Sequence, residues 1–296
     1  MRIVFTGREG QVARALRERG PACGAQVIPT GRPELDLSAP ETILPVLRAC
    51  APEVIVNTAA YTMVDQAEAE PDLAESINGR GASAVAVAAA ELSVPIIQIS
   101  TDYVFDGSLD RPYTETDTVG PTGVYGRSKL SGERGVASAT SNYAILRTAW
   151  VYSPFGRNFV RTMLRLAETR DEVSVVVDQH GSPTNAIDIA DGIIAVARNL
   201  LQNPDPRMRG VFHMTGSGFA TWAEFASAVF ETSKTAGGPS ARVRPIVTAD
   251  YPTPAKRPAN SRLDCTRIAI VHRVKLPGWR ASLIPCVRRL ISKAAS

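Results

Sequence analysis

The first half of the chain alternates short unbroken apolar runs with longer Ala-, Leu- and Glu-rich stretches. The runs are RIVFT (2–6), QVIP (26–29), EVIVN (53–57), PIIQIS (95–100) and YAILRT (143–148), all rich in Val and Ile. The stretches between them cover 10–19, 40–50, 72–92 and 122–138. A strand that is apolar at every position is buried on both faces, as in a parallel sheet covered by helices. Strands alternating with helices predict right-handed βαβ units and an α/β fold with a doubly wound parallel sheet.

Beyond about residue 150 the rhythm loosens. FVRTMLRLAE (159–168) and AIDIADGIIAVARNLL (186–201) read as helices, and EVSVVVD (172–178) as a strand between them. VFHMT and TWAEFASAVFETSKTAG add a strand and a helix, and YPTPAKRPANSRLD (251–264) is Pro-rich with little regular pattern. Long ordered loops of that kind are often functional. The expected division is a nucleotide-binding domain over 1–150 and a smaller α/β lobe over 151–296. Some segments of the second half return to the first, and a cleft runs between the two.

Composition narrows the class. With 296 residues and 44% hydrophobic content, the chain has enough apolar material for a sizeable core. The N-terminus runs from one basic residue straight into a strand-like run, so no signal peptide is expected, and no apolar run approaches the ~20 residues that span a bilayer. Cys23, Cys50, Cys265 and Cys286 are scattered without a CxxC, which fits free thiols in a reducing cytoplasm. His180, His213 and His272 form no ligand spacing, so no metal site is expected. The net charge of +4 hides an asymmetry: from Arg242 onward twelve Lys/Arg face only Asp250 and Asp264, a balance of +10 that leaves −6 for the rest. The basic part lacks the dense run of a nucleic-acid tail. A phosphate-bearing small molecule would engage two or three of its cations.

Four motifs carry chemistry. The first, TGREGQVARAL, follows the first strand and spaces Gly7 and Gly10 as G-x-x-G, with the small Ala13 third. Glycines let backbone approach a pyrophosphate, and the following helix N-terminus offers free N–H groups, so this turn predicts a Rossmann-like dinucleotide site. A site for NAD usually has a carboxylate at the end of the second strand. Here that position reads Thr30-Gly31-Arg32. Arg32, with Arg8, suits a 2′-phosphate, so NADPH is the expected cofactor and NADH the alternative. Asp36 and Leu37 follow at a spacing suited to the adenine.

The second motif is NTAAYTMVDQAE, whose small residues at a strand's carboxyl end let a cofactor lie against the backbone. The third is ISTDYVFDG, which places Ser100, Thr101 and Asp102 at the same edge. The fourth is VYGRSKLSGE, in which Tyr125 and Lys129 share a helix face at i and i+4. Carbonyl reduction needs a hydride on carbon and a proton on oxygen. A phenol near pKa ~10 is a reluctant acid–base group, and a nearby ammonium is expected to lower that value. Tyr125 then serves as general acid and Thr101 holds the carbonyl. Arg127 and Ser128, between Tyr125 and Lys129, have no assigned role.

Read in this order, the motifs resemble the extended short-chain dehydrogenase/reductases, and within them the branch that reduces dTDP-4-dehydro-β-L-rhamnose at C4. The resemblance covers nearly the whole chain. Its most specific parts are GVYGRSKLSGE, LRTAWVYSPFGRNFVRTML, VVVDQHGSPT and YPTPAKRPANSRL. It implies Tyr125 as proton donor, Lys129 as its tuner and a cofactor ribose ligand, and Thr101 as the carbonyl partner. It also implies that Thr101, Asp102 and Trp150 meet the sugar, and that Gly10, Gln11, Val12, Asp36, Leu37, Ala59, Ala60 and Tyr61 line the cofactor. Arg257 and the Pro-rich loop are candidates for the diphosphate of the nucleotide sugar, since a guanidinium suits phosphate oxygens.

The chain departs from the resemblance in one region. Some members form a magnesium-bridged dimer through acidic residues after GSPT. Here Ile187 stands where a glutamate is expected, and WRASLIPCVRRLISKAAS has no carboxylate side chain. No such dimer is expected, and the oligomeric state is otherwise open. Two other readings stay open at this point: a related deoxysugar 4-ketoreductase or nucleotide-sugar epimerase, and a non-catalytic cofactor-binding regulatory subunit. The complete Thr101, Tyr125 and Lys129 set argues against pure regulation.

Overall fold

Every apolar run of the first half forms a strand: β1 (Arg2–Thr6), β2 (Gln26–Thr30), β3 (Val54–Asn57), β4 (Ile96–Thr101) and β5 (Tyr143–Thr148). The computed structural model describes residues 1–294; residues 295 and 296 lie outside the described residues. Further strands are β6 (Val151–Tyr152), β7 (Glu172–Val176), β8 (His180–Gly181), β9 (Thr184–Asn185), β10 (Gly210–His213), β11 (Ala220–Thr221) and β12 (Arg242–Ile246). The helices of the first half are α1 (Gln11–Ala22), α2 (Ile43–Ala49), α3 (Val64–Ala67), α4 (Pro71–Glu75), α5 (Ala82–Glu91) and α6 (Val124–Ala139). Those of the second half are α7 (Phe159–Ala167), α8 (Ala186–Gln202), α9 (Trp222–Thr235), α10 (Thr266–Val271) and α11 (Trp279–Ala294).

Six strands make one sheet in the order β10-β5-β4-β3-β1-β2, and all its pairs are parallel. Successive strand residues point to opposite faces. Ile3, Phe5, Val56, Ile97 and Leu146 therefore meet Leu16 of α1 and Ile189 and Ile193 of α8 on one side. Val4, Ile55, Ile96 and Ile145 meet Leu47 of α2, Val85 of α5 and Val136 of α6 on the other. This double coverage is why the strand sequences show no polar alternation. The second half returns to this sheet through β10, while Tyr152, Val160, Val173, Phe225, Leu283 and Val287 close a separate core around α7, α9 and α11. Among the described residues no helix is long and apolar enough to cross a membrane.

The expected single helix over 72–92 is broken. A π-helical turn, Ser76–Gly81, separates α4 from α5. Gly81 sits there because a Cβ would come within 2.5 Å of the Leu37 carbonyl oxygen. The widened turn aims the buried Asn78 side chain at Tyr61 and Ser128, in keeping with π-bulges at functional sites.

Candidate active site

The strand order reverses between β1 and β3, and the loops leaving the carboxyl edge there line a cleft of about 900 Å³. Open α/β sheets bind ligands at such a switch point. The glycine turn forms one wall. Gly7 has φ +93°, which favours glycine, and its N–H reaches the Thr30 carbonyl at 2.7 Å. Gly10 precedes α1 and no side chain caps that helix, so the donors of its first turn stay open beside Gln11 and Val12 in the cleft.

Arg32, Asp36 and Leu37 line the same cleft beyond β2. Arg8 is engaged by Glu34 at 2.6 Å. Hydrogen bonds from Ser38 hold the Asp36 carboxyl below its usual range. After β3, Asn57 is buried against Thr6 and Gln98, and the Thr58 hydroxyl donates to the Thr6 carbonyl at 2.5 Å. That network flattens the Thr58-Ala59-Ala60 backbone against β1, and these three residues face the cleft.

Tyr61 does not follow them. It was expected to line the cofactor, but its side chain turns inward, and its hydroxyl donates to Glu70 at 2.6 Å. The reason is Asn78, which holds both the N–H and the carbonyl of Tyr61 and so fixes the backbone turn.

At the end of β4 the Thr101 hydroxyl donates to Asp102 Oδ1 at 3.0 Å and accepts from the Tyr103 N–H at 3.2 Å. Asp102 is buried, and among the described residues its Oδ2 has no hydrogen-bond partner. Burial pushes its carboxyl up to about 6, against the pull of the Ser261 and Thr101 hydroxyls. Tyr125 enters from the first turn of α6. Gly126 beside it is required, because a Cβ would stand 2.2 Å from the Tyr103 carbonyl oxygen. The close approach brings the Tyr103 and Tyr125 rings edge to face at 5.5 Å and the Tyr125 hydroxyl to the Thr101 side chain.

The acid–base tuning differs from the sequence expectation. Burial and then the Asp102 charge push Tyr125 upward, with Thr101 opposing them, so the protein groups hold it protonated. Lys129 is buried, donates to the Ile99 carbonyl at 2.6 Å, and is itself pushed down to about 8 by burial, against the charge of Glu133. Desolvation of each group outweighs the attraction that the spacing alone suggested.

Trp150 lines the cleft with a left-handed backbone, φ +48°, and its indole stacks on Trp222 with centroids 3.6 Å apart. Arg257 is not among the cleft-lining residues. Its guanidinium donates to Asp65 at 2.6 Å, next to Tyr103, which does line the cleft. The structure thus brings together Gly7, Gly10, Gln11, Val12, Arg32, Asp36, Leu37, Ala59, Ala60, Thr101, Asp102, Tyr125, Lys129 and Trp150, and leaves Tyr61 and Arg257 outside.

Sequence reasoning missed Asn78 and Ser128. Ser128 accepts from Asn78 Nδ2 at 3.0 Å and donates to the Tyr125 carbonyl at 2.9 Å, tying the loop after β3 to the turn that carries Tyr125. The available signal was INGRG, which puts an asparagine and two glycines, all poor helix formers, inside a helical stretch.

A parallel switch-point cleft with a glycine turn on one wall and a Thr–Tyr–Lys set on the other defines a reductase of the extended short-chain dehydrogenase/reductase type. The model of the family described as "RmlD substrate binding domain" matches residues 1–292. A Sinorhizobium fredii protein named dTDP-4-dehydrorhamnose reductase is 48% identical over 98% of this chain and 97% of its own. A Clostridium acetobutylicum structure of the same name superposes with a TM-score of 0.90 at 36% identity, covering 100% of both chains. A Bacillus anthracis one, solved in complex with NADP, gives 0.89 at 34% identity, over 96% of this chain and 98% of that one. The chain belongs to the dTDP-4-dehydrorhamnose reductase family.

Proposed function

We propose that this chain reduces the C4 ketone of dTDP-4-dehydro-β-L-rhamnose to give dTDP-L-rhamnose, using NADPH, with NADH the alternative donor. The observation that carries the reading is the meeting of Thr101 and Tyr125 beside the buried Lys129, in a cleft that the glycine turn also lines. The cleft suits the cofactor. Gly7 leaves a cradle that a Cβ would narrow to 3.3 Å from Thr58 Oγ1, and Arg32 rather than a carboxylate follows β2. When bound, NADPH supplies the hydride.

The protein's own groups do the rest. Thr101 holds the ketone oxygen within reach of Tyr125. Tyr125, kept protonated by burial, gives its proton to that oxygen as charge develops there. Lys129 offers its ammonium to the cofactor ribose and to the phenolate left behind. Asp102 binds the sugar with its unpartnered Oδ2, and Trp150 packs on the ring. In this reading residues 1–150 hold the cofactor, and 151–296 hold mainly the nucleotide sugar, with β10 and α8 serving the first unit. The chain works in the cytoplasm on a soluble nucleotide sugar, without nucleic acid or membrane partners and without a magnesium-bridged dimer.

The test is NADPH oxidation with enzymatically generated dTDP-4-dehydro-L-rhamnose, for the wild type and Tyr125→Phe. Turnover by the wild type and a loss of about 10²–10⁴ in kcat for the variant are expected. No turnover by the wild type sinks the substrate assignment, and full activity in the variant sinks the mechanism.

A further inference from the structure

Tyr125, Lys129 and Glu133 rise along one face of α6 at successive turns. Glu133 is buried, and its carboxylate serves two other elements. It accepts from Arg147 of β5 through two bonds, at 2.9 and 2.7 Å, and from the Ser100 hydroxyl of β4 at 2.5 Å. Ser100 directly precedes Thr101, and Arg147 directly precedes Thr148 at the mouth of the cleft. One carboxylate therefore ties α6 and β4, the two elements that carry the reacting groups, to β5 beside them.

An ion pair this deep is poor value for stability alone, because desolvating two charges costs as much as their attraction returns. What it fixes is geometry and the sign of charge. Among the described residues Arg147 Nη1 is buried without a hydrogen-bond partner, and Glu133 is the carboxylate that pairs with the guanidinium. The Lys129 ammonium has Glu133 as its opposing charge and a single carbonyl, Ile99, as its acceptor. Without the carboxylate, both buried cations lose the opposing charge that they share.

We propose that Glu133 is a positioning residue for the reaction, clamping α6 to β4 and β5 and holding the Lys129 ammonium in place beside Tyr125 and Thr101. This rests on the assignment of Tyr125 and Lys129 given above. Arg147 is the other half of the clamp and acts through Glu133.

The experiment compares the wild type, Glu133→Gln and the double variant Glu133→Gln/Arg147→Met. It reads Tm, the Kd of NADPH by nicotinamide fluorescence, and kcat and KM for the nucleotide sugar. Glu133→Gln is expected to lower Tm, weaken NADPH several-fold and lower kcat at least about tenfold, with KM for the sugar within about twofold. The double variant removes the orphaned cation, so Tm recovers while kcat and the NADPH Kd stay impaired. Recovery of kcat together with Tm makes the pair a scaffold only and overturns the proposal, as does an unchanged kcat in Glu133→Gln. A wild type that binds NADPH but does not turn over the sugar removes the substrate assignment alone. The Kd series then still decides the role of Glu133.

Discussion

The Arg257 guanidinium donates to the Asp65 carboxylate at 2.6 Å, and the same carboxylate accepts from the Ala255 N–H at 3.2 Å. The Pro-rich loop is thereby fastened to α3, over Tyr103 at the rim of the cleft. Arg257 Nη1 is buried without a hydrogen-bond partner among the described residues, so the guanidinium keeps donor capacity for a phosphate oxygen. Arg257→Ala should raise KM for the nucleotide sugar about tenfold with a smaller change in kcat, since lost ground-state binding appears in KM. Asp65→Asn loosens the loop but keeps the cation, so its KM should move less. An unchanged KM in Arg257→Ala removes the diphosphate role. Equal effects in the two variants make the pair a loop fastener.

Asp102 gives a pH prediction with a definite sign. Its carboxyl is raised to about 6 by burial, so the folded protein binds this proton more tightly than the unfolded chain does. Its contribution to stability is full below pH about 4 and is lost as pH rises through about 6. The penalty at pH 8 is at most roughly 3 kcal/mol. Asp102→Asn should therefore gain in Tm relative to the wild type on going from pH 4 to pH 8. Thermal melts across that range check it. A difference in Tm that does not move with pH contradicts the raised carboxyl.

Arg32 tests cofactor choice. It stands in the cleft directly after β2, at the position where an NAD site usually has a carboxylate, whereas Arg8 is already paired with Glu34. Arg32→Ala should raise KM for NADPH about tenfold and leave KM for NADH nearly unchanged, because only NADPH carries the 2′-phosphate. Equal losses for both cofactors would mean that Arg32 supports the loop rather than reading that phosphate.

The five strands of the first half were legible because each is an unbroken apolar run, and burial on both faces leaves no other pattern. The placement of the candidate residues was legible because Thr101 ends β4 and Tyr125 and Lys129 share one face of α6, so motif order and helical spacing report position in space. Glu133 and Arg147 escaped notice because their pairing depends on β5 lying under α6, and sequence spacing does not carry that contact. The inward turn of Tyr61 was not legible because it depends on Asn78, seventeen positions on, which holds its backbone. The direction of the Tyr125 shift also escaped, since desolvation depends on enclosure by Tyr103 and Asp102, which only the folded site provides.

Trp150 depends on what stands behind it. Its left-handed backbone is unusual for a tryptophan, and the conformation persists only where the surroundings enforce it. Two contacts do so. Trp222 stacks on the indole at an interplanar angle of 9°, and Gly181 leaves room that a Cβ would fill at 2.2 Å from indole Cε2. If the exposed part of Trp150 packs on the sugar, Trp222 sets the height and tilt of that platform. Trp222→Ala should raise KM for the nucleotide sugar roughly threefold to tenfold, the scale of one aromatic pair, with kcat less affected. Trp222→Phe should recover most of the loss. Gly181→Ala should reproduce it from the other side, because the methyl group forces the indole to move. Circular dichroism confirms that each variant is folded before the kinetics are read. Folded Trp222→Ala with an unchanged KM would show that the platform is held without Trp222.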